Sequence, residues 1–293
     1  MIAPATRLRA LAIVNTGSRR GAEDGAVALR TLVDGGIELV TAEPAGPTGV
    51  DAAIRAQAGL VDLVVLGGGD GTMNAAAAAL LDTQIPFAVL PLGTANDLAR
   101  VLGIPPDPVA AARIVLQGRR NRIDLGRAND HLFFNIATIG LSARLARAMD
   151  RGTKKRFGAF AYALTAARVG LGPPFRASIR ADGKQLELDA IQVAVGNGRY
   201  HGGGIVVHEA AAIDDRLLHL YVLEPTSVPR LLGRLPWLLQ GKHRAMGVQT
   251  LAATDIHIDT GECLPVNTDG ELTTWTPVQF SVIPEAVEVC VPA

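Results

Sequence analysis

The chain has 293 residues, 48% of them hydrophobic, with 32 glycines, which is typical of a compact α/β protein with two domains or one large one. Lysine plus arginine and aspartate plus glutamate number 28 each, so no net field draws the chain to nucleic acid, and we expect no nucleic-acid partner. Only two cysteines occur, Cys263 and Cys290, which are too few for a disulfide framework. They favour a reducing cytoplasm and predict two small, buried side chains.

The apolar runs of the sequence are short. The longest unbroken run, Ala75–Leu81, spans seven residues, whereas a membrane-crossing helix needs ~20. Near the N-terminus, the apolar run that begins at Leu11 stops at Asn15, which is too short for a signal-peptide core and predicts a first strand instead. We therefore expect no membrane-spanning segment.

Strand and helix patterns alternate through residues 1–126 and predict an α/β domain with a Rossmann-like, mostly parallel sheet. The predicted strands are Leu11–Val14, Ile37–Val40, Leu63–Leu66 and Phe87–Leu90. The predicted helices are Ala22–Asp34, Val50–Leu60, Met73–Leu81, Ala95–Leu102 and Pro108–Leu116, the last capped by Asp107. Ligands collect at the carboxyl ends of strands in such sheets.

Residues 127–293 carry short, often alternating apolar runs separated by turn signals, which predict an antiparallel β-sandwich domain. A hairpin is expected at Asp182-Gly183, helical segments at Ala143–Val169 and Val228–Gln240, and a return of the last strand to the first domain stays open. The predicted strands are Phe175–Arg180, Gln185–Leu188, Ile191–Val195, Leu217–Leu223, Ile256–Ile258, Val278–Val282 and Val287–Val291.

The most informative stretch is GGGDGTMN, Gly67–Asn74, between a buried strand and an alanine-rich helix. Glycines let backbone N–H groups approach phosphate oxygens, and a helix N-terminus adds partial positive charge there. Asp70 would repel a phosphate unless a cation lay between them, so the pattern predicts a nucleotide-phosphate site with Asp70 on Mg²⁺. The alternative is a tight turn with a helix-capping aspartate.

GGGDGTMN followed by PLGTANDLAR, Pro91–Arg100, resembles the catalytic domain of diacylglycerol-kinase and sphingosine-kinase type lipid kinases, above all their bacterial soluble members. The resemblance extends through FNIATIG, GNGRYHGGG, the Asp214-Asp215 pair and Asp269-Gly270-Glu271, and so covers nearly the whole chain. It implies a phosphofructokinase- or NAD-kinase-like first domain, ATP as phosphate donor, Mg²⁺ as metal and a membrane lipid as acceptor.

The resemblance also implies a set of nucleotide-binding residues at the first domain. Thr94 would offer a hydroxyl and an N–H group to the nucleotide, and an ordinary helix cap is an alternative compatible with that role. The assignment of Asn15 to this set is weaker, because Thr16 stands where the family usually has proline. The implied residues are Asn15, Thr41, Gly68, Gly69, Asp70, Gly71, Thr72, Met73, Asn74 and Thr94.

Glu271, the last residue of the late DGE motif, is the implied proton acceptor and joins Asp70 as a catalytic residue. The alternative is a solvated turn residue, since Asp269-Gly270 is a strong hairpin signal. Many relatives have glutamate where this chain has Ala75, a departure that leaves altered specificity or reduced activity open.

A structural divalent ion is implied in the second domain, held by Asp215 and by the backbone carbonyls of Ala212 and Leu217. Arg216 stands where the family commonly has glycine, and it brings a side chain and a positive charge to a position that favours positive φ. A plain turn is the equal alternative. The histidines show no metal-ligand spacing and receive no catalytic role, although His201 lies in the glycine-rich loop and could touch substrate.

Two segments could dock on a membrane by combining cations with large apolar side chains. They are Val228–Arg244, which includes Trp237 and Leu238, and the rival segment Lys154–Phe157. For Val228–Arg244, a helix packed on the sandwich is the equal alternative. The sequence thus predicts a lipid kinase with transient peripheral membrane contact, and it leaves monomer and homodimer open. The competing functions are a soluble-substrate kinase of the NAD-kinase type and a catalytically weak protein that binds lipid or nucleotide.

Overall fold

The computed structural model describes residues 7–15, 19–44, 46–148, 170–201, 205–208, 211–231, 233, 237 and 248–293. The chain divides into two compact units. Unit 1 comprises Met1–Ile123 and Ala286–Ala293, and unit 2 comprises Asp124–Glu285. The predicted fold class, a parallel α/β part and an antiparallel β part, is confirmed by the sheets of the two units.

Unit 1 alternates strands and helices, as the sequence predicts. Its elements are β1 Arg9–Val14, α1 Arg19–Asp34, β2 Glu38–Ala42, α2 Gly46–Ala56, β3 Leu63–Gly68, α3 Asp70–Thr83, β4 Phe87–Pro91, α4 Asp97–Val101, α5 Pro108–Gln117 and the first half of β5 Arg119–Ala128. The Asp107 carboxylate accepts the Ala110 N–H at 2.7 Å, which confirms the predicted cap of α5.

The sheet of unit 1 is parallel in the order β2-β1-β3-β4, and the end of β18 (Val278–Val291) pairs with β4 at Val289 and Phe87. Strands β3 and β4 are buried along their full length. Their continuous apolar runs fit strands covered on both faces by helices. All carboxyl ends of these strands therefore lie along one edge of the sheet.

Unit 2 consists mainly of antiparallel strands. Its elements are the second half of β5, β6 His131–Phe133, β7 Ile136–Gly140, α6 Leu141–Ala148, β8 Phe175–Ala181, β9 Lys184–Ala190, β10 Gln192–Gly196, β11 Tyr200–His201, β12 Ile205–Val206, β13 Leu218–Leu223, β14 Gln249–Ala253, β15 Asp255–Asp259, β16 Pro265–Thr268, β17 Glu271–Trp275 and most of β18. Residues 228–231 are helical as predicted, while 149–169 and most of 232–247 lie outside the described residues.

The core of unit 2 lies between two sheets. One has the order β14-β13-β10-β7-β16-β17, and the other contains β18, β15, β8 and β9. Alternate residues of each strand point into this core, as Leu218, Leu220 and Val222 do from β13. Phe133 and Phe280 meet in it edge to face, with ring centroids 6.4 Å apart. Each such buried side chain contributes ~1.5–3 kcal/mol by leaving water.

The sequence missed several strands of unit 2, and one prediction about the cysteines is wrong. The two predicted last strands form the single strand β18. The strands that were not predicted are β5, β6, β7, β11, β12, β14, β16 and β17. The predicted hairpin at Asp182-Gly183 is confirmed, joining β8 to β9 with both residues at positive φ. Cys290 is buried as predicted, but Cys263 is exposed because it lies in the turn after β15.

No helix within the described parts of the chain is long and apolar enough to cross a membrane.

Candidate functional site

The loops that follow β1, β3 and β4 are joined by backbone hydrogen bonds at the carboxyl edge of the unit 1 sheet. The Asn15 N–H donates to the Gly67 carbonyl at 2.8 Å, and the Leu92 N–H donates to the Gly68 carbonyl at 3.0 Å. Thr41 lies at the same edge on β2 and is exposed, like Asn15. The parallel topology thus brings these predicted residues to one edge of the sheet, where α/β proteins bind ligands.

The glycines of the loop after β3 are required by close packing. A Cβ on Gly68 would lie 2.2 Å from Thr72 Oγ1, and a Cβ on Gly93 would lie 2.4 Å from the Gly69 Cα. The backbones of the loops after β3 and β4 therefore touch at Gly69 and Gly93. Only residues without a side chain allow that approach.

Gly71 differs from those glycines, because a Cβ placed on it would meet nothing within 4 Å. It is exposed in the first turn of α3. The N-cap of that helix is Gly69, in an extended conformation and with no side-chain cap. The Thr72 N–H donates to the Gly69 carbonyl at 2.9 Å. The N–H groups of Asp70 and Gly71 have no side-chain cap and are suited to an anion, since the helix dipole adds partial positive charge there.

Asp70 is the first residue of α3, but its carboxylate caps the N-terminus of α4. Its Oδ1 accepts the N–H of Leu98 in the first turn of α4 at 3.1 Å. The residue at the N-cap of α4, Asn96, makes no cap bond and is in the left-handed conformation at φ 50°. Its side chain binds Gly93 instead, at both the N–H and the carbonyl. Oδ2 of Asp70 accepts no hydrogen bond from a described residue, so this oxygen can face a cation.

Thr94, Met73 and Asn74 differ in what they can offer a ligand. Thr94 is exposed but is not a helix cap, because α4 begins at Asp97 rather than at Ala95; the capping alternative is therefore wrong. Met73 is 2% exposed, so its side chain packs in the core and only its backbone could contact a ligand. Asn74 Oδ1 is buried and has no hydrogen-bond partner among the described residues.

Glu271 begins β17, directly after a two-residue turn in which Asp269 and Gly270 have φ of 47° and 95°. Its side chain is exposed and forms no hydrogen bond or ion pair with a described residue. Asp269, by contrast, is fully engaged: its carboxylate accepts the N–H groups of Phe134, Asn135 and Ile136 at 2.7, 3.0 and 3.0 Å. Within the DGE motif, Asp269 fixes the hairpin and Glu271 is available for chemistry.

Asp215, the predicted metal ligand of unit 2, is surrounded by hydrogen-bond donors. Oδ2 accepts the Ala212 N–H at 3.0 Å and His219 Nε2 at 2.7 Å, and Oδ1 accepts the Leu217 N–H at 2.9 Å. Burial raises the pKa of Asp215, but the bonds from His219, Ala212 and Leu217 outweigh it and hold the pKa below its usual value. Ala212 and Leu217 thus present N–H groups to the carboxylate. The resemblance implied that their carbonyls would bind an ion.

Arg216 has φ of 63°, so the expected positive φ is confirmed even though the residue is not glycine. Its N–H donates to Asp124 Oδ2 at 2.7 Å, and its guanidinium pairs with Glu285. Nowhere in the described ranges do three or more histidine, cysteine, aspartate or glutamate side chains converge in a way that could hold a metal. N–H donors thus occupy three of the about four lone-pair positions of the Asp215 carboxylate, which is a poor fit for a divalent ion.

Sequence reasoning missed three buried polar residues, Asp97 in unit 1 and Asp124 and His219 in unit 2. Asp124 is 1% exposed, and burial raises its pKa, reinforced by the charges of Asp215 and Asp214 and opposed by N–H donors from Glu285 and Arg216. Asp97 and His219 are 6% and 4% exposed. Asp124 had a signal in the sequence, because it is a carboxylate between two apolar strand residues, a pattern that indicates a satisfied buried charge.

Two family descriptions match this chain. Residues 9–128 match the diacylglycerol kinase catalytic domain, and residues 135–291 match the YegS C-terminal NAD kinase beta sandwich-like domain. The first match contains the glycine loop, Asp70 and Thr94. The second contains Asp215, His219 and Glu271.

Bacterial proteins named "Probable lipid kinase YegS-like" are similar in sequence. The one from Pseudomonas aeruginosa is 38% identical over 237 residues, which cover 78% of this chain and 76% of the relative. The one from Pectobacterium atrosepticum is 34% identical over 250 residues, which cover 83% and 81%. A crystal structure described as a diacylglycerol kinase from Bacillus anthracis aligns over 97% of both chains, with a TM-score of 0.80 and 25% identity.

Proposed function

The chain belongs to the family that joins a diacylglycerol kinase catalytic domain to a YegS C-terminal domain, and we propose that it is an ATP-dependent lipid kinase. The γ-phosphate is transferred to a hydroxyl of a membrane lipid, such as a diacylglycerol, a sphingoid base or a related lipid. The names of its relatives support a lipid acceptor.

The observation that carries the proposal is the glycine loop at the uncapped N-terminus of α3. Gly69 and Gly71 leave backbone N–H groups open to an anion, and Gly71 has free space where a side chain would be. Phosphoryl transfer requires mainly alignment and neutralisation of charge, which N–H donors, a helix dipole and a cation supply. Asn15, Thr41 and Thr94 lie along the same edge, where they would contact the nucleotide.

Asp70 fits a magnesium ion at this loop. One carboxylate oxygen is held by Leu98 and the other accepts no hydrogen bond from a described residue. Mg²⁺ in kinases is commonly bound by one or two carboxylates, substrate phosphates and water, so a single aspartate suffices on the protein side. When bound, the ion would neutralise the phosphate charge that Asp70 would otherwise repel. Asp70 itself holds the loop after β3 on α4.

Glu271 is proposed as the proton acceptor. Its carboxylate is exposed at the start of β17 on a turn that Asp269 anchors through three N–H groups, so the backbone that carries it is well fixed. A lipid hydroxyl is a weak acid. Glu271 therefore orients this hydroxyl early and takes its proton late in the transfer.

Transient docking on a membrane surface completes the proposal. Trp237 is 46% exposed and belongs to the docking segment Val228–Arg244, of which 228–231, 233 and 237 are described. The rival segment Lys154–Phe157 lies outside the described residues. Each large apolar side chain inserted into the interface contributes ~1.5–3 kcal/mol, so a few suffice for reversible binding.

The test is incubation of the purified protein with radiolabelled ATP and Mg²⁺, with either a total bacterial lipid extract or NAD as acceptor. Label in a chloroform-soluble product supports the lipid kinase, and its chromatography and mass identify the lipid. Label in NADP instead supports the soluble-substrate kinase of the NAD-kinase type. Nucleotide binding without transfer to either acceptor overturns both and supports a catalytically weak protein, in keeping with Ala75.

A further inference from the structure

The loop 212–217 of unit 2 is organised by hydrogen-bond donors of the protein. An ionised carboxylate can only accept, so in the 2.7 Å contact with Asp215 Oδ2 the Nε2 of His219 is the donor. Together with the N–H of Ala212 it occupies both lone pairs of that oxygen. The N–H of Leu217 takes one of the two on Oδ1. Only one lone-pair position of this carboxylate, on Oδ1, has no donor from the described residues.

The neighbouring carboxylate, Asp124, is satisfied in the same way. Its Oδ2 accepts the N–H of Arg216 and its Oδ1 accepts the N–H of Glu285, both at 2.7 Å. The positive φ of Arg216 turns its N–H toward Asp124, while its guanidinium pairs with Glu285 rather than with either aspartate. A divalent ion bound at the occupied lone pairs of Asp215 and Asp124 would therefore displace N–H donors.

His219 is held in place for this role. It is 4% exposed on β13, and its ring stacks on His208 with centroids 5.2 Å apart and an interplanar angle of 21°. Mg²⁺ and Ca²⁺ prefer oxygen ligands in near-complete shells, and an imidazole N–H directed at the Asp215 carboxylate opposes such a shell.

We propose that His219 occupies the place of the divalent ion that the family resemblance implies, so that the Asp215 loop of this chain is stable without a metal. The imidazole donor on Oδ2 and the backbone donors on Oδ1 and on Asp124 together replace the ion. The loop is then a metal-independent version of a metal-binding turn. This proposal does not depend on which substrate the enzyme phosphorylates.

Thermal unfolding without nucleotide or lipid tests the proposal, and the variant Asp70→Asn serves as background so that a cation at the glycine loop does not contribute. After treatment with EDTA and dialysis, the protein is titrated with MgCl₂, CaCl₂ or MnCl₂. We expect the midpoint temperature of unfolding to stay constant as the metal concentration is raised to ~10 mM. An ion that bound the folded state at 100 times its dissociation constant would stabilise it by ~2.7 kcal/mol. A clear rise, or a metal retained at one ion per chain by elemental analysis, overturns the proposal.

Two variants in the Asp70→Asn background test whether His219 is the residue that makes the unfolding midpoint independent of metal. His219→Gln keeps a side-chain N–H donor, so we expect its midpoint to remain independent of metal. His219→Asp removes the donor and adds a carboxylate beside Asp215, so we expect a lower midpoint in EDTA that rises with Mg²⁺ or Ca²⁺. If His219→Asp folds and ignores metal, His219 does not stand in the place of an ion. Should His219→Asp fail to fold, the titration of the parent protein still decides.

Discussion

The Asp70 carboxylate accepts the backbone N–H of Leu98 at 3.1 Å and so caps α4 from the loop that precedes α3. A residue at the predicted phosphate loop thus also fixes the loop that carries Thr94. The cap uses Oδ1 and leaves Oδ2 without a hydrogen bond from a described residue. The helix cap and the proposed cation contact therefore use different oxygens of the Asp70 side chain, and substitutions can separate the two functions.

Asp70→Asn is predicted to keep the fold and lose activity. The amide oxygen can still accept the Leu98 N–H, so the unfolding midpoint should change little. The negative charge that would hold Mg²⁺ is gone, so we expect kcat/KM to fall by ~10²-fold or more, with a raised apparent KM for ATP and a weaker dependence on magnesium. Steady-state kinetics over a magnesium series measure the activity, and thermal unfolding measures the stability.

Asp70→Ala is the matched control, because it removes both functions. It should lose activity like Asp70→Asn and in addition lose ~0.5–2 kcal/mol of stability from the missing cap. If Asp70→Asn retained wild-type kinetics at all magnesium concentrations, Asp70 would be a structural cap only.

Gly71→Ala is predicted to stabilise the protein while weakening nucleotide binding. Its Cβ meets nothing within 4 Å and the position is helical, so alanine should add ~0.5–1 kcal/mol of stability. If phosphate oxygens approach this backbone, the new methyl group occupies their space, and we expect the Kd for ATP to rise at least ~10-fold. Calorimetric titration and thermal unfolding measure the two effects.

Gly93→Ala is the contrasting control. Its Cβ would lie 2.4 Å from the Gly69 Cα and 2.7 Å from Asn96 Oδ1, so this variant should lose stability as well as binding. A stabilised Gly71→Ala protein that binds ATP as tightly as wild type would argue that phosphates do not contact the first turn of α3.

Local patterns predicted the parts of the fold that local energetics decide. Strand β3 and helix α3 were predicted because a buried apolar run meets glycines and then an alanine-rich segment, and both exist with slightly wider bounds. Strands β16 and β17 were missed because PVNT and ELTTW lack apolar alternation. Their pairing depends on the Asp269-Gly270 turn and on β7, which lies 125 or more residues earlier in the chain.

The candidate site was predicted by residue type but not by hydrogen-bond partner. The sequence indicated Asp70, Glu271 and Asp215, but it could not indicate that Leu98 binds the first, since the two lie 28 residues apart. His219 received no role, although it is only four residues from Asp215. Its contact with Asp215 depends on the positive φ of Arg216, which redirects the backbone between them.

Asp269→Asn is predicted to destabilise unit 2. Asparagine tolerates the positive φ at this turn, so the backbone of the hairpin is not strained. The Asp269 carboxylate accepts three N–H bonds from residues 134–136, and asparagine has one acceptor oxygen fewer and no charge. We therefore expect the free energy of unfolding to fall by ~1.5–3 kcal/mol. Urea unfolding measures it. A cost below ~0.5 kcal/mol would mean that those N–H groups find water instead.

Asp182 should make stability depend on pH in the acidic range. Its carboxylate accepts the Thr254 N–H and hydroxyl and the Asp255 N–H, and these bonds, the Thr254 N–H first, lower its pKa below the usual 3.8. A depressed pKa contributes stability above the unfolded value that is lost as pH falls through the folded value. The difference in the midpoint of thermal unfolding between wild type and Asp182→Asn should thus be constant above pH ~5 and shrink below pH ~4. A difference that does not vary with pH would exclude the charge as its source.

Glu271→Gln is predicted to separate chemistry from binding. The side chain is exposed and makes no bond with a described residue, so the amide should leave the fold and the turn at Asp269-Gly270 unchanged. Loss of the proton acceptor should lower kcat by ~10²- to 10⁴-fold, while the Kd for ATP stays nearly the same because Glu271 does not contact nucleotide in the proposed mechanism. Rapid-quench measurement of lipid phosphate formation gives the rate of the chemical step, and calorimetric titration gives the Kd.

Leu272→Ala is the control, since it shortens a 41% exposed neighbour on the same strand without touching the carboxylate. Wild-type turnover in Glu271→Gln would remove this residue from the reaction and leave the hydroxyl to be activated by the phosphate itself.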